Sequence, residues 1–245
     1  MSTGMIVFVT VGGSLLVFAA LGAMMVYFHK RHKRTEADIQ QRLGVEAQRR
    51  GWNLIGGSEE ILRFYNFVYD TYSTGGHPLN PLQRRARAVA VKDVITGVHR
   101  GRSFIAGTFD VVTPKRERVK NMCVWVTAPG AVSTFALRKS DRISSTVNRG
   151  LGWYNFRSGR PEIDNHFAIR ADDQNFAAQF VNDSIVHYLG SYSGRLDGVI
   201  VRGDQIEVWD DCKDHRDPDQ LIAALDVRCD LLDRVPEAAW AAARR

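Results

Sequence analysis

Two short clusters hold most of the residue types from which a reactive or binding site could be built. The first is His99-Arg100-Gly101-Arg102, which gathers one titratable imidazole and two guanidiniums around a single glycine. Planar guanidiniums donate paired hydrogen bonds that match phosphate and carboxylate oxygens, so this cluster points to contact with an anion or an anionic lipid. The second is Asp210-Asp211-Cys212-Lys213-Asp214-His215, a crowd of side chains able to ligate metal. It lacks the glycine and closing glutamate of a calcium loop, and Cys212 with His215 supplies only half of a zinc set. It is read as a polar loop, and neither a metal nor a cofactor is expected.

Nucleophilic chemistry finds little more support. The three cysteines, Cys123, Cys212 and Cys229, are few, far apart and odd in number, with no Cys-x-x-Cys unit. Unpaired thiols of this kind suit a reducing compartment. Cys123 stands in an apolar strand pattern and Cys229 on an apolar helix face, as small core residues do. No G-x-S-x-G, phosphate-binding Gly-rich loop with lysine, or H-E-x-x-H motif is present. The expected catalytic set is therefore empty, and a non-enzymatic role is favoured over an enzymatic one.

The elements that must position these clusters follow from periodicity. An acidic capped helix is expected from Thr35 to about Arg50, with Ile39, Leu43 and Ala47 on one stripe, as a helical stalk. Ser58-Glu59-Glu60 opens a second helix whose apolar face holds Ile61, Leu62, Tyr65, Val68 and Tyr69, broadened by Phe64 and Phe67. Strands are expected on either side of Arg100-Gly101-Arg102 as a hairpin, then over 119–127, 133–137 and 165–170. A single helix capped by Asp172 or Asp173 runs to about Tyr188. A second hairpin covers 196–209 with its turn at Arg202-Gly203-Asp204. Asp217-Pro218 opens a helix to about Val235, and Pro236 opens a short last one. Strands in runs followed by helices, without βαβ alternation, give an α+β class with antiparallel sheet and packed helices.

Residues 5–28 read MIVFVTVGGSLLVFAALGAMMVYF, with no ionisable group but the Tyr27 phenol. At about 1.5 Å per residue this run is long enough to cross a hydrocarbon core of about 30 Å as a transmembrane helix. Its positive charges, Lys30, Arg31, Lys33 and Arg34, follow it, which is the reverse of a cleaved secretory leader. The positive-inside bias then predicts a single-pass plasma-membrane protein, N-terminus outside and C-terminal domain cytoplasmic. The domains so expected are 1–34, the anchor and its basic flank, 35–50, the stalk, and 51–245, the cytoplasmic domain. Ala19 and Ala23 form a small-xxx-small pair, through which a homodimer could close.

The net charge of +6 is unevenly spread. Residues 83–120 hold ten Lys or Arg against three acids, a surplus of +7, and residues 201–240 hold five against eleven, −6. The basic block fits an anionic leaflet, with nucleic acid the less favoured partner. Besides the lipid bilayer, another membrane protein is the partner class expected.

Residues 93–104 (DVITGVHRGRSF) resemble a segment that recurs in an uncharacterised family of actinobacterial membrane-anchored proteins. Residues 156–171, the hairpin carrying Gly203, and Val235-Pro236-Glu237 are similar to other segments of that family. The resemblance runs in order over about residues 51–240. It implies an N-terminal anchor and a cytoplasmic α+β domain, and brings no activity, cofactor or catalytic residue. The reading that follows is a membrane-anchored interaction or scaffold module. Its competitors are a membrane-associated enzyme using His99, Arg100 and Arg102 or Cys212 and His215, and an anionic-lipid or nucleic-acid binder through residues 83–120.

Overall fold

The structure, a computed structural model, describes residues 36–72, 87–113, 116–140, 154–192 and 196–243. The apolar run 5–28 and the flank cations Lys30, Arg31, Lys33 and Arg34 lie outside the described residues. Among the described residues no helix is long and apolar enough to cross a membrane.

Helix α1 covers residues 36–50. The Trp52 amide donates to the Ala47 carbonyl at 2.8 Å, the backward bond that closes a helix C-terminus. Next come β1 (Asn53–Ile55), α2 (Glu59–Tyr72), β2 (Arg87–His99), β3 (Arg102–Val112) and β4 (Arg118–Lys139). Then follow α3 (Pro161–Asp164), β5 (Phe167–Ala171), α4 (Gln174–Phe180), α5 (Asp183–Ser191), β6 (Leu196–Asp210), α6 (Pro218–Arg234) and α7 (Glu237–Ala243).

All six strands join one antiparallel sheet in which β1, β2, β3 and β4 are successive neighbours. The 22-residue β4 is its spine. Trp125 and Val126 pair with both β3 and β6, while Phe135 to Arg138 pair with both β5 and β6. A strand has two edges, so β6 runs along one and β3 and β5 share the other end to end. Inward positions alternate, and each face carries helices over part of its length: α2 packs on Phe109, Val111, Cys123 and Trp125. On the opposite face Phe104, Ala106, Val124 and Val126 meet α1 and α4 to α7 through Leu43, Phe176, Leu225 and Trp240. The result is a helix–sheet–helix sandwich, an α+β fold.

Two expectations change on folding. Residues 196–209 do not form a hairpin. They are one strand, β6, because the long β4 supplies a partner for its whole length. Gly203 (φ +56°) lies opposite a bulge in β4, where residues 128–131 stand against Asp204 alone. The helix expected from Asp173 to Tyr188 is two helices. Asp173 caps α4 by accepting from the Asn175 and Phe176 amides, and Asn182 caps α5 by accepting from Ile185. Elsewhere the spans at 119–127 and 133–137 prove to be halves of β4, and Phe67 is 58% exposed rather than part of the buried face of α2. Strand β1 and the short α3 had no sequence signal assigned to them.

Candidate functional site

The positions singled out by residue type converge on α6. A two-residue turn joins His99 of β2 to Arg102 of β3, with Arg100 at φ +51° and Gly101 at φ +78°. Both central residues are left-handed, the geometry that matches the twist of paired strands, and Arg100 bears the strain of it without being glycine. The turn projects the His99 imidazole and the two guanidiniums at α6. His99 Nε2 lies 2.8 Å from Asp226 Oδ1. Arg100 donates to Asp230 and to Asp233, both at 2.7 Å, and Arg102 donates to the other Asp233 oxygen at 2.7 Å. Asp226, Asp230 and Asp233 recur at steps of four and three, one face of a helix. The anions that His99, Arg100 and Arg102 meet in the structure are thus the molecule's own carboxylates. The basic block of residues 83–120 and the acidic block of residues 201–240 partly neutralise each other across this seam.

The second cluster is pulled apart. Asp210 receives Nη1 of Arg228 at 2.5 Å. Asp214 accepts from Arg216, and although burial pushes its carboxyl up, Arg216 holds it below its ordinary value. His215 is 1% exposed and turns inward, its Nε2 donating to the Asp93 carbonyl at 2.6 Å. That carbonyl is available because Asp93 (φ +52°) sits in a bulge where two residues of β2 oppose one of β3. Burial keeps the His215 imidazole less basic than usual. Cys212 stands in a different setting, its thiol pushed up to about 12 by burial and by the Asp210 carboxylate. Cys212 and His215 therefore do not form a nucleophile–base pair. Among the described residues no three His, Cys, Asp or Glu side chains are grouped to hold a metal.

Between the end of β6 and α6 lies an open cleft of about 580 Å³, lined by Tyr192, Leu196, Asp210, Cys212, Gln220 and Asp226 among others. Ala223, Ala224 and Val227 give it an apolar floor. Carboxylates on an apolar floor favour a cationic or amphipathic segment over an anionic one.

Two polar groups of the interior escaped sequence reasoning. Arg228 is 2% exposed, yet it donates to the carbonyls of Val124 (2.7 Å), Ala224 (2.7 Å) and Val208 (2.8 Å) as well as to Asp210. It pins α6 to β4 and β6 at once. Under α2, the buried Glu207 carboxylate faces the Tyr69 hydroxyl and Trp125 Nε1, each at 3.4 Å, and Arg202 at 3.7 Å. The Arg202 guanidinium stacks 4.8 Å from the Tyr69 ring centre. Burial, with Glu207 close by, raises the Tyr69 phenol well above its usual value. The signal for Arg228 was its place in the apolar register of α6. Arg202 and Glu207 lay on a strand whose continuity had not been recognised.

No family model and no curated protein matches the chain. Among solved structures, the crystal structure of the mycobacterial trehalose monomycolate transport factor A, TtfA, is similar over 81% of this chain and 96% of that one. The sequence identity is 14% and the TM-score 0.45, a likeness too distant to carry function across.

Proposed function

We propose that this chain is a single-pass plasma-membrane protein, N-terminus outside, whose cytoplasmic domain is an interaction or scaffold module. On this reading residues 1–34 are the anchor and its flank, and the chain belongs with the actinobacterial membrane-anchored proteins that it resembles. The observation that carries the proposal is the 24-residue uncharged run 5–28 closed by Lys30, Arg31, Lys33 and Arg34.

Further support comes from how the next element is fastened. Only Thr35 separates Arg34 from Glu36, the first described residue of α1. Glu36 pairs with Arg216, Arg42 pairs with Asp219 and lies 3.5 Å from Asp217, and Leu43 and Ala47 enter the main core. A helix so fixed holds the domain close to the bilayer instead of letting it range on a loose linker. The concave, carboxylate-lined cleft beside α6 is the surface suited to a partner's cationic segment.

Alkaline carbonate extraction tests the proposal. The full chain should stay with the membrane pellet, and replacing Leu15 and Leu16 by lysine should release it. Release of the unaltered chain would contradict anchoring by this run.

A further inference from the structure

We propose that the open face at the far end of the β2–β3–β4 sheet lies against the anionic headgroups of the anchoring bilayer. This deepens the membrane-anchored reading and rests on it. Paired residues in an antiparallel ladder share a face, as do alternate residues of one strand. Three cross-strand rows follow: Arg87, Val112 and Arg118, then Ala90, Asp110 and Lys120, then Lys92, Thr108 and Met122. Except for Arg87, at the strand end, whose guanidinium reaches back to Asp70 of α2, these side chains leave one side of the sheet, the side opposite α2, whose contacts Phe109, Val111 and Cys123 alternate with them. Arg87, Lys92, Arg118 and Lys120 are all exposed. With Asp110 as the single acid, Lys92, Arg118 and Lys120 give the face a net charge of +2.

Many of the cations elsewhere are already matched by a carboxylate. Arg42, Arg49, Arg50, Arg100, Arg102, Arg160, Arg216 and Arg228 each sit within 4.0 Å of a carboxylate. Lys92, Arg118 and Lys120 make no ion pair among the described residues, and Arg87 reaches only Asp70 at 4.0 Å. The turn at Arg100 and Arg102 has its counter-charges in α6, and this face does not.

Position supplies the occupant. Glu36, at the end of α1 nearest the expected anchor, pairs with Arg216. The adjoining His215 donates to the carbonyl of Asp93, and Lys92 is the next residue along β2. The basic face therefore begins beside the membrane-proximal end of the domain. Its floor of Ala90, Thr108, Val112 and Met122 is short, about 10 Å across three strands, which suits a headgroup layer. Basic groups within a Debye length of such a layer are attracted to it, and the attraction fades with salt.

A crosslinking experiment on the full chain in nanodiscs tests the inference. Photoreactive p-benzoylphenylalanine replaces Thr108 on this face, or Phe67 on the outer side of α2 as control. In phosphatidylglycerol–phosphatidylcholine discs, Thr108 should give lipid adducts several times more often than Phe67. The excess should vanish in pure phosphatidylcholine and at high salt. The triple variant Lys92→Glu, Arg118→Glu, Lys120→Glu should lower it at least about tenfold, since each cation contributes about fivefold. Equal adducts at both positions, or an excess indifferent to lipid charge, would overturn the inference, and the lipid comparison stands even if the variant fails to fold. A nucleic-acid shift abolished by the variant, with no lipid adduct, would overturn it too. If the chain does not integrate into discs the anchor reading fails, and the same adducts are then read with added anionic and neutral vesicles.

Discussion

Arg228 illustrates what a charge must have to sit in a core. Four acceptors take four of the five N–H donors of its guanidinium, and removing it takes that donor from the Asp210 carboxylate and three carbonyls. Loss of one partner of a buried pair costs about 3–5 kcal/mol, far more than an exposed pair contributes. Arg228→Ala should therefore lose about that much in urea unfolding, and Arg228→Lys should recover only part of it, since an ammonium cannot span the same acceptors. A loss below about 1 kcal/mol for the alanine variant would mean that α6 is held by packing alone. His215 makes a second residue-scale prediction. Its folded pKa lies below the ordinary 6.5, so the unfolded chain binds more protons as pH falls past that value. Its contribution is present above pH 6.5 and is lost below it, as pH falls toward the depressed folded value. His215→Gln, which keeps a donor for the Asp93 carbonyl, should flatten that acid limb of the stability–pH curve. An unchanged limb would show that other groups set it.

Among the elements, β6 separates what the sequence could convey from what it could not. Glycine at Gly203 is a local signal, and it reads as a hairpin turn where the strand in fact runs on past a bulge in its neighbour. Whether a break is a turn or a bulge depends on what lies alongside, here 22 residues of β4, which no local pattern reveals. Tyr72 explains the rest: a Cβ on Gly203 would lie 2.8 Å from its ring, in a backbone conformation (φ +56°) that L side chains rarely adopt. Gly203→Ala should cost more than about 1 kcal/mol. Gly190→Ala, in α5 with nothing near its Cβ, should be neutral or stabilising by up to about 1 kcal/mol. Thermal melts of the two variants check this, and equal melting would contradict the bulge geometry. The first hairpin was legible because its turn chemistry is local, as were α6, through Asp217-Pro218, and the buried stripe of α1. The α4–α5 break was visible only as Asn182, a good cap hidden inside an apolar period. The candidate site was legible in half. The side chains of His99, Arg100 and Arg102 could be read from the sequence, but their partners on α6 lie more than a hundred residues away.

Across the whole molecule, charge is arranged in two ways. Near α6 opposite blocks close on each other, which fastens the β2–β3 turn to the helix layer. At the other end of the same sheet, Lys92, Arg118 and Lys120 face outward beside the end of α1 that leads to the apolar run. On the proposed reading the run spans a bilayer, and the ion pairs of α1 fasten to the domain the helix that follows it. The most direct test of this account is accessibility to an impermeant thiol reagent in intact cells. Background should be low, because Cys123 and Cys229 are buried and the Cys212 thiol is pushed up to about 12. A cysteine placed at Ser2 should be labelled before lysis, and one placed at Asp219 only after it. Labelling of the Asp219 position in intact cells, with Ser2 protected, would put the domain outside and contradict the account.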